Sequence, residues 1–366
     1  NLPYLALPAS TDADVALRVF VNMNTNSKPL SMFDLTVAKV EEEASASLHE
    51  LQETLETNHP QVTRYGDLSW TLLQVAAMLQ GQVPNGTGIN AMDKKQLVSD
   101  WSRIESALTR AANFLGRQHI YDGTRLPSHI SLPVIAACFD SIPETGDALG
   151  RGEHLLRAYL WTACFTNRYE GAANTRAFQD FKALQTLLKK PSFTASDYGQ
   201  VPILDRTAYP LPDYEQLMRV GWPKGADRMA RAVLACTLYF GGWDFADGHP
   251  ASFESLKSRE YHHIFPDALL SEAGVESYLA LNCALITWKT NRTIGRKDPL
   301  EYLRDRVDWS DEANVGQRLE THLLDYATFA GAHYVDGNGA PLKGEQLVAK
   351  LTPEFQSFLA WRTRRV

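Results

Sequence analysis

The chain has 366 residues, long enough for two domains of ordinary size. With 44% hydrophobic and 22% charged residues it reads as a soluble globular protein, which excludes a disordered chain. A net charge of −7 argues against a protein that coats nucleic acid nonspecifically; it leaves open an enzyme acting on nucleic acid, because binding follows local charge. No run approaches the roughly 20 apolar residues of a membrane span, and the opening NLPYLALPAS lacks the basic stretch of a signal peptide. Cys138, Cys164, Cys236 and Cys283 are far apart, each in an apolar stretch and with no CxxC pair. They read as reduced core residues of a cytoplasmic protein.

The first element in chain order is Leu17 to Leu35, where Val19-Phe20-Val21 forms a short strand or helix end before an asparagine-rich stretch. Ser31 with Asp34 predicts a helix N-terminus with an acidic first turn. Val37, Val40, Ala44, Leu48, Leu51 and Leu55 recur every three or four residues and predict one long amphipathic helix, closed by Pro60. Leu68 to Gln80 predicts a buried helix. Gly81 to Asn90 reads as a loop that lacks the G-x4-G-K-[ST] order of a phosphate loop. Leu97, Trp101, Ile104, Leu108, Ala112 and Leu115 mark the next helix, with Gly116 at its C-cap. Ser131 to Phe139 is a buried helix that tolerates Pro133 in its first turn. Leu155 to Phe165, apolar nearly all round, belongs at the centre of a helical bundle.

In Asn167 to Asp180, Arg168 and Tyr169 leave that helix and Asn174 or Thr175 caps the next. Arg168 is expected to pair with Asp180 and tie the two helices together; DNA contact by Arg168, Tyr169 or Arg176 is the lesser alternative. Lys189 to Gly225 holds five prolines and little helical period, the pattern of a domain connection or a functional surface. Ala226 to Tyr239 is a helix ending at Gly241-Gly242, with Met229, Val233, Cys236 and Phe240 as its core stripe. Further helices are expected from Pro299, over Leu319 to Phe329, and over Pro353 to Trp361. Arg362, Arg364 and Arg365 read as an exposed basic tail. The chain is therefore expected to be mainly α. A helical bundle domain covers residues 1–190 and an irregular linker covers 191–224. A small α+β domain embedded in helices covers 225–366.

The stretch that carries chemistry is Tyr261 to Lys297. His262 and His263 precede Ile264-Phe265-Pro266, Asn282 follows after a gap, and Asn291 follows Asn282 by nine positions. Six basic residues between Thr287 and Arg306 outnumber three acidic ones. This pattern resembles the HNH, or ββα-metal, nuclease motif. In that motif a hairpin carries the histidine pair and a following helix carries the last ligand. Phosphodiester hydrolysis needs an activated water and charge neutralisation at the phosphoryl group. A neutral imidazole can take the proton from water, and one divalent metal can polarise the phosphate and help the leaving oxygen. The resemblance implies that His263 is the general base and that Asn282, in the same catalytic set, orients the motif. It implies His262 and Asn291 as metal ligands for Mg2+ or Mn2+, His262 standing where the family often has Asp. Lys289, Arg292, Arg296 and Lys297 are the expected DNA-binding residues.

A second resemblance is met independently. Phe20, Asn24-Thr25, Lys28-Pro29-Leu30-Ser31 and Leu35 follow F-x-x-x-N-T-x-x-K-P-L-S-x-x-x-L, a segment of GmrSD-type restriction proteins. An Arg-Tyr with a later Asp, here Arg168-Tyr169 and Asp180, recurs in that family too. Its members couple a D-G-Q-Q-R nucleotide-binding domain, through helices, to an HNH nuclease. No D-G-Q-Q-R occurs here, so that domain is expected on a missing N-terminal part or a separate chain. The resemblance implies a metal-dependent DNA endonuclease or nickase, the effector of an anti-phage system acting on modified phage DNA, with no membrane partner. The alternatives are a non-catalytic DNA-sensing helical module with a silent HNH site, and an RNase or toxin-type nuclease.

Overall fold

The computed structural model describes residues 31–287, 311–329 and 334–366, together with positions 8, 11, 12, 14–16, 19, 299 and 303. Phe20 to Leu30 and residues 288–298, each with expectations attached, lie outside the described residues.

Polar side chains set most helix starts. α1 (Met32–Ala44) begins at Ser31: Asp34 N–H donates to Ser31 Oγ, and Ser31 N–H donates to Asp34 Oδ2 at 2.8 Å. The single long helix expected through Leu55 is two helices. Ser45 turns left-handed (φ 51°) and ends α1, and Ser47 starts α2 (Leu48–Asn58) by accepting from Glu50 N–H at 3.3 Å. Short polar side chains offer the backbone these alternatives, and the apolar spacing does not reveal them. Asp67 caps the buried α3 (Leu68–Leu79). Where a loop was expected, Asn85 starts the short α4 (Gly86–Ala91), and Asp93 then starts α5 (Lys94–Ser99). Gly88 in α4 packs so closely that a Cβ would lie 2.0 Å from the Val83 carbonyl oxygen. α6 (Trp101–Arg117) runs through Gly116, the expected cap, and ends at Gln118.

α7 (Ser131–Phe139) has the predicted bounds and is buried at every position. It packs on α3, α6, α8 (Gly146–Phe165) and α9 (Ala173–Leu188), forming the centre of the first core. α9 starts from Ala172 in the left-handed conformation, not from Asn174 or Thr175. Arg168 does pair with Asp180, through Nε and Nη2, each at 3.1 Å. Asp180 is fully buried and also accepts from Tyr169 Oη at 2.8 Å and from Ile203 N–H at 3.2 Å. The pair thus ties the helices to the irregular stretch that follows.

That stretch packs rather than dangling: Val201, Ile203 and Leu204 are buried in the first core, and Val220 is buried in a second. Within it lies α10 (Tyr214–Met218). α11 (Arg228–Leu238), capped by Asp227, joins the cores. Its Ala232 and Ala235 belong to the first, Ala230 and Val233 to the second, and Leu234 and Leu238 to a small third one. Phe240, expected in the core stripe, is 61% exposed because the helix has ended before it. α12 (Phe253–Leu256) precedes β1 (Arg259–His263), α13 (Asp267–Glu272) and β2 (Cys283–Thr287). α14 (Glu312–Glu320) and α15 (Gly344–Thr363) complete the described elements. The fold is mainly helical, with one small two-stranded sheet among the described residues.

Arg362, expected on an exposed tail, is fully buried near the end of α15. It donates to the carbonyls of Leu281 at 2.5 Å, Cys283 at 2.9 Å and His322 at 2.8 Å. No helix among the described residues is long and apolar enough to cross a membrane. All four cysteines are free, and burial pushes their thiols up, Cys236 to about 12, which makes them unreactive.

Candidate functional site

β1 and β2 pair antiparallel with Arg259 opposite Thr287 and His263 opposite Cys283. Buried side chains fix this ribbon in place. Arg259 donates to the carbonyls of Gly242, Leu285 and His249. The fully buried Asp244 accepts from Thr287 N–H at 2.7 Å and so ends β2.

Side chains alternate across a strand. Arg259, Tyr261 and His263 therefore share one face with Cys283 and Leu285, against Leu234 and Leu238 of α11. His262 takes the other face with Ala284 and Ile286, which belong to the second core. The two histidines thus leave the strand in opposite directions. His262 is 4% exposed. Leu303, beyond the segment that carries Asn291, is buried in the same core as Ala284 and Ile286.

His263 is half-buried between aromatic rings. Trp222 stacks on it with centroids 4.0 Å apart and 17° between planes, and Tyr278 meets it edge-on at 4.7 Å. Among the described residues, its solvent-sealed Nε2 meets no hydrogen-bond partner. Burial lowers the imidazole pKa, while the carboxylates of Asp267 and Glu276 pull it partly back. The ring is accordingly neutral at neutral pH and able to accept a proton.

Trp222 and Tyr278 were not singled out from the sequence. Trp222 comes from the proline-rich stretch. Backbone pairing brings it in: Gly221 bridges Leu279, and Ala280 N–H donates to the Val220 carbonyl at 2.8 Å. The irregularity of that stretch was its one signal of a functional surface.

Asn282 is fully buried. Its Oδ1 accepts from Phe265 N–H at 2.8 Å, and its Nδ2 donates to the carbonyls of Phe265 and Ser277, both at 3.0 Å. Its backbone carbonyl accepts from Ile264 N–H at 2.8 Å. These bonds close the loop between the strands and hold the end of β1. The geometry gives Asn282 a positioning role, with its side chain directed into the loop.

Asn291, Lys289, Arg292, Arg296 and Lys297 lie outside the described residues. Among the described residues, no three His, Cys, Asp or Glu side chains converge as a metal cluster. Neither a protein-family model nor a curated protein matches the chain.

Proposed function

We propose that the chain is an HNH-type nuclease that hydrolyses DNA phosphodiesters with Mg2+ or Mn2+, as the effector of an anti-phage restriction system. The observation that carries this reading is His263. It is a neutral, half-buried imidazole at the end of the first strand of an antiparallel pair, and the loop beyond it is closed by Asn282. In this reading His263 takes the proton from the attacking water. Trp222 and Tyr278 hold the ring and exclude competing solvent. Asn282 fixes the strand end through the backbone of Phe265.

In this reading His262 and Asn291 would hold the divalent ion. The imidazole of His262 and the amide oxygen of Asn291 are neutral ligands that leave the ion's charge for a phosphate. When bound, the metal supplies polarisation of the phosphoryl group and stabilisation of the leaving oxygen. His262 and His263 leave β1 in opposite directions, so in this reading His262 would reach the ion from the face opposite the His263 ring. Lys289, Arg292, Arg296 and Lys297 follow β2 in sequence and would hold the DNA backbone.

A metal titration of duplex cleavage tests the ligand assignment. Asn291→Ala is expected to raise the half-saturating metal concentration by at least about tenfold, and Asn282→Ala by much less. An unchanged metal requirement in Asn291→Ala sinks the assignment. The aromatic cover over His263 favours one second reading, a DNA-sensing module with a silent site. A protein that binds DNA under all metal conditions and never cuts it would select that reading.

A further inference from the structure

The segment Glu276–Leu279, whose Tyr278 meets His263, also forms one side of an open cavity of about 620 Å3. α10 and α15 form the other sides. The volume falls within the range of small-molecule sites. Met218, Leu279 and Leu359 supply its apolar surface, and Tyr214 supplies an aromatic ring that is 39% exposed. Its polar groups include the carboxylate of Glu276 and the amide of Gln356. Glu276 Oε1 accepts from Tyr278 N–H at 2.8 Å, which anchors the carboxylate to the segment that reaches His263. Arg219 lies 3.4 Å from Glu215 in an exposed ion pair, and such a pair yields easily to a ligand.

We propose that this cavity binds a guanine base. A flat ring suits one aromatic side chain above an apolar floor. The Watson–Crick edge of guanine presents two neighbouring N–H donors beside a carbonyl acceptor. A carboxylate accepts two parallel N–H bonds, and an amide or guanidinium N–H answers the carbonyl. Glu276 provides the first, and Gln356 or Arg219 provides the second. Thymine sets one donor between two acceptors, and adenine and cytosine turn a ring acceptor toward the carboxylate. An aliphatic cation would leave Tyr214 and the apolar floor uncovered. The base comes from the strand held at the candidate site, a source that rests on the nuclease reading, or from a free guanine nucleotide.

The test is fluorescence anisotropy in EDTA, so that no strand is cut. A short labelled oligothymidylate with one central guanine is compared with the all-thymidine strand. The guanine strand is expected to bind about tenfold more tightly, and hypoxanthine in place of guanine to lose most of that gain. Glu276→Gln and Tyr214→Ala, both on exposed side chains, are expected to abolish the preference at an unchanged melting temperature. Competition by guanosine 5′-monophosphate assigns the free nucleotide as the source; competition by unlabelled guanine strand alone assigns the strand. Equal affinity for the two strands, with no binding of the monophosphate, overturns the proposal. So does a guanine preference that survives Glu276→Gln, or Glu276-dependent binding of a labelled lysine peptide without any response to guanine. Cleavage without guanine preference sinks the cavity proposal alone. Guanine binding without cleavage, across all metals, sinks the nuclease reading alone.

Discussion

At His263 two opposing influences act on one ring. Burial beside Trp222 lowers its pKa, and the nearby Asp267 and Glu276 carboxylates offset part of that. With the pKa below the ordinary value of 6.5, the neutral ring persists to lower pH, so on the nuclease reading the acid limb of a rate profile is expected below 6.5. Trp222→Ala returns water to the ring, and the limb is expected to move up towards 6.5. A pH–rate profile at saturating metal checks this; an unmoved limb would show that another group titrates. Asn282→Asp separates positioning from chemistry. It keeps the acceptor for Phe265 N–H but sets an oxygen against the carbonyls of Phe265 and Ser277. Urea denaturation is expected to show a loss of about 2–3 kcal/mol. No loss would mean that the loop does not depend on these bonds. At this scale the spacing of the motif singles out His263 and Asn282. It hid Trp222, because a residue in an aperiodic stretch carries no local pattern that points at a strand 37 or more positions away.

Among the elements, the β ribbon depends on side chains far from it in sequence. Arg259, Asp244 and Arg362 satisfy its backbone groups. His322 Nε2–H donates to the Trp243 carbonyl at 2.8 Å and its own carbonyl accepts from Arg362. Burial first, and then the charges of Arg259 and Arg362, push the His322 pKa down to about 3. An unfolded histidine binds its proton near 6.5, so the unfolded state takes up protons first as pH falls. The stability due to His322 is full above pH 6.5 and is lost as pH drops from there towards 3. The slope is up to about 1.4 kcal/mol per pH unit. Urea denaturation at pH 7.5, 6 and 5 measures it. His322→Gln is expected to flatten the dependence, and a variant with the same slope would contradict the assignment. Helices that are apolar nearly throughout, such as α3 and α7, were legible from sequence. The break at Ser45 was not, because a left-handed serine leaves the apolar spacing intact. Arg362 was misread because a charge near a chain end resembles a solvated tail, and only tertiary structure brings it to the carbonyls of residues 281 and 283.

Across the whole molecule α11 is shared between cores: Ala232 and Ala235 pack in the helical core, and Ala230, Val233, Leu234 and Leu238 pack in the two cores that hold the ribbon. Separating the cores would expose both faces of this helix. The described parts are therefore expected to unfold in one transition, with far-ultraviolet and tryptophan signals coinciding; two resolved transitions would show independent domains. The same sharing keeps the Trp222 segment, the ribbon and α15 in fixed relation around His263. The nuclease reading depends most directly on whether that imidazole does chemistry. Supercoiled plasmid incubated with the protein in Mg2+, Mn2+ or EDTA, beside His263→Ala at matched melting temperature, decides it. Metal-dependent conversion to open-circular or linear DNA, reduced by at least about a hundredfold in the variant, is the predicted result. Full activity in His263→Ala would contradict the account.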